Sequence, residues 1–282
     1  MRRRSAVTIV VAFFALALGS VMGGAAGVAY AQQIFSGYYG YTPPRFPNAN
    51  SFKGSFNFCR GMFTSNRREK RGWDTDYPGA DINFSIRLSE LTKTRVTKQP
   101  NHTDPEYVVV HLTDQALFQC PFVLFEDAGT AIFSDQEAVQ LREYLLKGGF
   151  LFVSDYWGEI GKEQFDDQIG RVLPRAKYPI VTLPLDHPIW HTQFELKYIP
   201  QMSSIQSWRR SGGGKTERGV AEGTQTARGI ADEKGRLMVV MIHDSDIPDG
   251  WEREGEEHEY FLQFSPDSYS VGIDVLLYAL TH

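Results

Sequence analysis

Carboxylate side chains recur directly after the apolar runs of this sequence. Glu126 and Asp127 follow one run, Asp155 follows a second, and Asp244 and Asp246 follow a third. Two carboxyl groups that differ in protonation can act as general acid and general base in glycoside cleavage. Asp155 and Asp246 are therefore the candidate catalytic pair, although no spacing in the sequence fixes their separation.

Tryptophans accompany these carboxylates. Aromatic rings beside carboxylates suit a saccharide, because sugar rings present apolar C–H faces and a rim of hydroxyls. Packing of the same tryptophans over the ends of strands is the alternative. The predicted ligand-binding residues are Trp73, Asp76, Asp155, Trp157, His243, Asp246 and Trp251.

Asp244, Asp246 and Asp249 have a spacing that resembles a calcium-binding loop. One residue too many separates the second and third acids for an EF-hand, and no glutamate closes the loop. A looser calcium site stays open as an alternative. We assign no other cofactor and no metal ligands, because Pro188 opposes a helix that would place His187 and His191 on one face.

The composition argues against nucleic-acid binding. The chain has 34 acidic and 29 basic residues and a net charge of -5, whereas a nucleic-acid partner requires a cationic footprint. The glycines before Lys215 and Thr216 do not complete a phosphate-binding loop. Arg209 occupies the position of the first required glycine.

Apolar runs alternate with helical patterns along the chain. Ser134 and Glu137 form a capping box ahead of a helix that Gly148 and Gly149 end. The main predicted strands are 55–63, 107–112, 122–125, 150–153, 179–183 and 236–242. This alternation predicts an α/β domain with a mainly parallel sheet and helices on both faces. Ligands bind beyond the carboxyl ends of such strands, so we expect the carboxylate and tryptophan loops to share one rim.

A glycine- and threonine-rich segment, 211–229, predicts a mobile loop. Arg209 and Arg210 precede it. The loop could therefore close over the rim as a lid, with its arginines meeting an anionic group or the carboxylates. A solvated loop without a function is the alternative.

The N-terminus has the pattern of a secretory signal peptide. Arg2, Arg3 and Arg4 precede an apolar stretch, and Ala29-Tyr30-Ala31 precedes Gln32 as a cleavage site. Cleavage predicts a periplasmic or secreted protein, whereas an uncleaved segment at 6–31 would anchor the chain to a membrane. The predicted organisation is a signal segment at 1–31, an extended arm at 32–51 and one domain at 52–282.

The two cysteines, Cys59 and Cys120, lie in strand-like runs. Export permits a disulfide, and two cysteines allow one pairing. We favour the alternative that both are buried thiols that behave as small hydrophobic residues.

Several segments together resemble known families. The runs 122–129, 134–149 and 150–155 resemble the class I glutamine-amidotransferase-like fold, especially its trehalose-utilisation-like branch. Four motifs in order resemble an uncharacterised bacterial family, DUF4159: 72–78, 148–151, 184–189 and 249–255. The resemblance covers 52–282. It implies a flavodoxin-like sheet and does not imply an activity.

The sequence departs from the amidotransferases at their nucleophile. Those enzymes carry a cysteine on the turn after a central strand, where this chain has Ser154 and Asp155 without a G-x-S-x-G frame. The departure favours a non-catalytic binding or scaffold module of the cell envelope, with a saccharide or another envelope component as ligand. A carboxylate-dependent hydrolase acting on a saccharide or envelope polymer is the alternative. Enzymatic activity, protein partners and oligomeric state are left open.

Overall fold

The computed structural model describes residues 36–37, 40–66, 72–100 and 102–282. The predicted signal segment lies outside the described residues. The chain divides into two compact units, 1–44 and 45–282. In the first unit, β1 (Ser36–Gly37) pairs antiparallel with β2 (Gly40–Tyr41).

The second unit is built on a mainly parallel sheet, as predicted. Its strands are β3 (Phe58–Met62), β4 (Thr64–Ser65), β5 (Tyr107–His111), β6 (Val123–Phe125), β7 (Ala131–Ile132), β8 (Leu151–Val153), β9 (Val181–Thr182), β10 (Thr226–Ala231) and β11 (Leu237–His243). Within the described residues, seven strands form one sheet in the order β5-β3-β6-β8-β11-β10-β9. The first five are parallel, and β10 runs antiparallel to β11 and β9. The apolar strands β6, β8 and β11 are neighbours, which confirms their predicted central position.

Helices connect these strands. Over the same described ranges they are α1 (Gly79–Leu91), α2 (Asp135–Leu146), α3 (Gly158–Val172), α4 (Ile205–Ser211), α5 (Asp249–Glu252) and α6 (His258–Thr281). The capping box of α2 is confirmed, because Ser134 Oγ accepts from the Glu137 amide while the Glu137 carboxylate accepts from the Ser134 amide. No helix among the described residues is long and apolar enough to cross a membrane.

The two faces of the sheet carry separate hydrophobic cores, because successive side chains of a strand point to opposite faces. One core contains Phe58 and Phe152 and is covered by α1 and α6. The other contains Cys59 and Leu151 and is covered by α2 and α3. The predicted placement of helices on both faces is therefore confirmed.

The predicted loop at 211–229 is wrong in its second part, because β10 begins at Thr226. This strand tolerates Gly229 because Leu183 and Leu237 pack where its missing side chain would lie. It also buries Arg228, whose guanidinium donates to Asp166 at 2.7 Å. Tertiary contacts thus convert a glycine- and threonine-rich stretch into a strand.

The preference for free thiols is also wrong. Cys59 and Cys120 form a disulfide, with their Cα atoms 6.0 Å apart. Cys59 lies in β3, and Cys120 lies shortly before the neighbouring strand β6. Adjacency in the sheet therefore brings the two cysteines within bridging distance.

Candidate functional site

Acidic side chains from several loops meet at the carboxyl ends of the parallel strands. Carboxylate oxygens of Asp76, Asp246 and Asp249 lie within 4.8 Å of one another, and so do those of Asp155, Glu217 and Asp246. Asp246 belongs to both groups, so the carboxylates form one continuous cluster. We call these five residues the acidic cleft.

The backbone of this region adopts an uncommon conformation. Among the described residues, those other than glycine with positive φ are Asp76 (58°), Asp127 (45°), Asp155 (50°), Arg218 (56°) and Asp244 (57°). Asp76 and Asp155 belong to the cleft, and Arg218 follows Glu217 directly. Asp127 pairs with Arg218, and Asp244 lies two residues before Asp246. Left-handed backbone is unfavourable for residues with a side chain, and such residues concentrate at functional sites.

Asp155 is 2 % exposed and lies in the loop after β8, two residues beyond the end of the strand. The Trp157 indole donates to its Oδ1 at 2.8 Å, and Arg218 Nη2 lies 4.0 Å from the same oxygen. Burial raises the pKa of Asp155 to about 8, while the charge of Arg218 opposes the rise. The charges of Asp127 and Glu217 add to it. At neutral pH this carboxyl therefore retains its proton.

The neighbouring carboxyls are affected in the same way. Burial raises the pKa of Asp246 well above its usual range, and the charges of Asp155 and Asp249 raise it further. Burial and the charge of Asp246 do the same to the pKa of Asp76. Burial raises the pKa of Asp249 to about 7, although the Tyr260 hydroxyl donates to its Oδ2 at 2.7 Å. The cleft thus disfavours several negative charges at once.

Glu126 contributes a buried carboxylate beside the cleft. Its Oε2 accepts from Arg60, whereas its Oε1 has no hydrogen-bond partner among the described residues. Burial raises the pKa of Glu126 to about 8 against the opposing charge of Arg60. Its charge in turn raises the pKa values of Asp76 and Asp246, which indicates that it lies close to both.

Arg60 positions the loop that carries Asp76. This fully buried arginine of β3 donates to Asp81 and to the backbone carbonyls of Trp73 at 3.0 Å and Thr75 at 2.7 Å. The two carbonyls belong to the segment just before Asp76. In the sequence, Arg60 is a single charged residue inside an apolar strand, which is the signal that marks it.

A family model for a domain of unknown function, DUF4159, matches residues 63–280. The chain belongs to this family. The match includes every residue of the acidic cleft, and it confirms the resemblance drawn from the four motifs. No curated protein matches the chain.

Within the DUF4159 region, the predicted site residues separate into two groups. Asp76, Asp155 and Asp246 lie in the acidic cleft, and Trp157 contacts Asp155. Trp251, in contrast, is fully buried and packs against Phe84 in the core.

Trp73 and His243 have local structural contacts. The Trp73 ring packs against Tyr77, and its carbonyl accepts from Arg60. His243 Nε2 lies 3.1 Å from the Gly158 carbonyl, and burial lowers the pKa of the imidazole. Both residues therefore have partners within the fold, and neither is one of the five residues of the acidic cleft.

The residues of the proposed calcium loop have different roles. Asp244 accepts from the Gly158 amide and from the Thr224 hydroxyl, both at 2.7 Å, so its carboxylate holds the start of α3. Asp246 and Asp249 instead belong to the acidic cleft. The loop therefore contributes two of its three aspartates to the cluster.

The Ser154 hydroxyl and the side chains of Arg209 and Arg218 all have partners in the structure. Ser154 is fully buried, and its Oγ donates to the Ser245 carbonyl and accepts from the Ile247 amide, both at 3.1 Å. Arg209 pairs with Glu256 and Glu257. The arginine of the 211–229 segment that meets the carboxylates is Arg218, which donates to Asp127 at 3.2 Å.

Glu126, Glu217 and Asp249 lie in or beside the acidic cleft but are not among the predicted ligand-binding residues. Glu126 is one of the carboxylates that directly follow an apolar run, although it is not among the predicted ligand-binding residues. Asp249 has the spacing of a calcium-binding loop and lies in a loop that continues from a strand end. No sequence pattern identifies Glu217 as a site residue. It lies in the loop between α4 and the antiparallel strand β10, whereas the strand-end rule applies to loops that follow parallel strands.

Proposed function

We propose that this DUF4159 domain is a binding module of the cell envelope whose acidic cleft holds a divalent cation, with calcium as the preferred ion. The observation that carries the proposal is the pair of three-carboxylate groups that share Asp246. Hard divalent cations take oxygen ligands, and two oxygens on opposite sides of a calcium ion lie about 4.8 Å apart. Each group has its oxygens within 4.8 Å of one another, so each is compatible with a single coordination sphere.

The electrostatics of the cleft support a cationic ligand. Burial keeps the pKa of Asp155 at about 8 and that of Asp249 at about 7, so protons balance part of the charge when no cation is bound. A divalent cation would replace these protons and remove the repulsion between the carboxylates. Cation binding is then expected to release protons and to strengthen as the pH rises.

The unpartnered oxygen of Glu126 is an independent reason to expect a ligand. The residue is fully buried, and over the described part of the chain nothing donates to its Oε1. A buried acceptor without a donor costs about 1–3 kcal/mol, so native structures rarely contain one. A cation, or a water molecule bound to it, would supply the missing partner.

A binding role also agrees with the contacts of the two cysteines and of Ser154, which are the candidate nucleophiles. Both cysteines are consumed by the disulfide, and the Ser154 hydroxyl is held by backbone groups. Oxygens of the candidate catalytic pair, Asp155 and Asp246, approach within 4.8 Å. Two oxygens at this separation can contact one bound ion.

We infer a flavodoxin-like, amidotransferase-like fold from the strand order. The parallel strands β5-β3-β6-β8-β11 follow the order 2-1-3-4-5 along the chain, which is the order of flavodoxin-like sheets. In this interpretation the acidic cleft occupies the usual ligand position of the fold, and the cysteine nucleophile of the amidotransferases is lost.

The signal segment supports export to a compartment rich in calcium, where a saccharide or another envelope component would be the further ligand.

Isothermal titration of calcium into protein treated with a chelator tests the proposal. Asp246→Asn should abolish binding, because Asp246 belongs to both carboxylate groups. The control Asp186→Asn changes an exposed aspartate outside the cleft and should leave binding intact. Calcium at a hundred times its Kd should add about 2.7 kcal/mol to the unfolding free energy. Absence of both heat and stabilisation with calcium, magnesium and manganese would refute the proposal.

A further inference from the structure

A cavity lies at the end of the sheet opposite the acidic cleft, where β3, β6 and β8 begin. Its volume is about 740 Å³, which is within the range of small-molecule sites. Four aromatic residues contribute to its wall: Phe52, Phe56, Phe118 and Tyr144. Asn57, directly before β3, contributes an amide, and we call this space the Asn57 cavity.

Asn57 is the feature that points to a ligand. The residue is 3 % exposed, and neither its Oδ1 nor its Nδ2 has a hydrogen-bond partner within the described ranges. Buried amides are nearly always paired, because leaving both groups without partners costs free energy. The residue lines a space large enough to contain the missing partner.

Two polar side chains that line the cavity with Asn57 are already engaged. The Tyr144 hydroxyl donates to the Cys120 carbonyl at 2.8 Å and accepts from the Phe150 amide at 3.2 Å. At the rim, Lys147 is paired with Glu143 at 3.0 Å, so its charge is balanced. A neutral ligand therefore fits the cavity better than an anion.

We propose that the Asn57 cavity binds a small neutral molecule that carries a planar amide and an aromatic or acyl body. The Asn57 side chain presents one acceptor and two donors, so an amide of the ligand can both donate to it and accept from it. The apolar body would pack against Phe52 and Phe118. This site is separate from the acidic cleft and does not depend on the cation.

Phenylacetamide and its amide-free counterpart toluene are suitable probes for the full chain. Binding should shift the backbone amide NMR signals of Gly54, Gly148 and Gly149, which line the cavity. Asn57→Leu should weaken phenylacetamide about tenfold, which corresponds to about 1.4 kcal/mol, and leave toluene unchanged. The control Asn50→Leu alters an exposed asparagine and should change neither affinity.

Two further measurements keep the proposal falsifiable. Without a probe, Asn57→Leu should keep or raise the Tm, because the amide it removes has no protein partner in the described structure. Leu280→Trp, at the partly exposed mouth of the cavity, should block both probes. A clear fall in Tm for Asn57→Leu would show that the amide serves the fold. That result, or the absence of probe-dependent shifts at the three glycines, would overturn the proposal.

Discussion

Asp155→Asn should flatten the dependence of the unfolding free energy on pH. The side chain is 2 % exposed, and burial raises its pKa to about 8. The folded chain therefore holds a proton that the unfolded chain has already released above the ordinary aspartate pKa of 3.8. Stability from this group is present at low pH and is lost as the pH rises towards 8. Asparagine keeps the shape and an oxygen for the Trp157 indole but does not titrate.

The size of the effect follows from this difference of one proton. Each pH unit between the unfolded and folded pKa values changes the unfolding free energy by about 1.4 kcal/mol. Asp155 should therefore remove about 3 kcal/mol between about pH 5 and pH 7. A typical domain has about 5–15 kcal/mol of stability, so the difference between wild type and variant is readily measured.

Urea unfolding in the presence of a chelator at about pH 5, 6 and 7 measures this slope. Asp186→Asn serves as the control and should keep the wild-type slope, since that aspartate is exposed. Saturating calcium should flatten the wild-type curve, because the cation binds the ionised carboxylates. Equal slopes for wild type and Asp155→Asn would refute the assignment of a protonated, buried carboxyl at this position.

Two further predictions concern the disulfide and Arg218. Replacing Cys59 and Cys120 with alanine should lower the unfolding free energy by about 4 kcal/mol in denaturant melts, because the bridge closes a loop of 61 residues. A loss below about 1 kcal/mol would contradict this loop-entropy origin. Arg218→Gln should tighten calcium binding in calorimetry, because Arg218 Nη2 lies 4.0 Å from Asp155 Oδ1 and competes with the cation for this carboxylate. Arg209→Gln, which removes an ion pair with Glu256, should leave the affinity unchanged.

The central strands could be predicted because strands that are buried on both faces consist almost entirely of apolar residues. The runs that form β6, β8 and β11 are apolar on both faces, as expected of strands covered on both sides. β10 could not be predicted in this way, because it contains Thr226, Arg228 and Gly229. Its burial depends on partners distant in sequence, such as Asp166, which pairs with Arg228.

The same distinction applies to the site. Asp76, Asp155 and Asp246 follow from the rule that ligands bind at the carboxyl ends of parallel strands. Glu217 reaches the cleft through the path of a loop, which no local pattern encodes. Trp251 was expected at the ligand surface and lies in the core, because an indole near carboxylates has the same sequence context in either place.

Two aspartates with the same backbone conformation show which side chains serve the fold and which are free for a ligand. Asp76 and Asp244 have φ values of 58° and 57°. Asp244 accepts two hydrogen bonds, from Gly158 and Thr224, whereas Asp76 Oδ2 is buried without a partner among the described residues. Glycine relieves about 1–2 kcal/mol of left-handed strain at either position.

The net effects of these two substitutions should therefore have opposite signs. Asp76→Gly should raise the unfolding free energy in chelator at neutral pH, because it removes strain together with a buried carboxyl that has a raised pKa. Asp244→Gly should lower it by about 1–3 kcal/mol, because the two lost hydrogen bonds to a carboxylate outweigh the relief of strain. Calcium affinity should fall in Asp76→Gly and persist in Asp244→Gly. If both variants changed stability in the same direction, the division between structural and ligand-binding aspartates would be wrong.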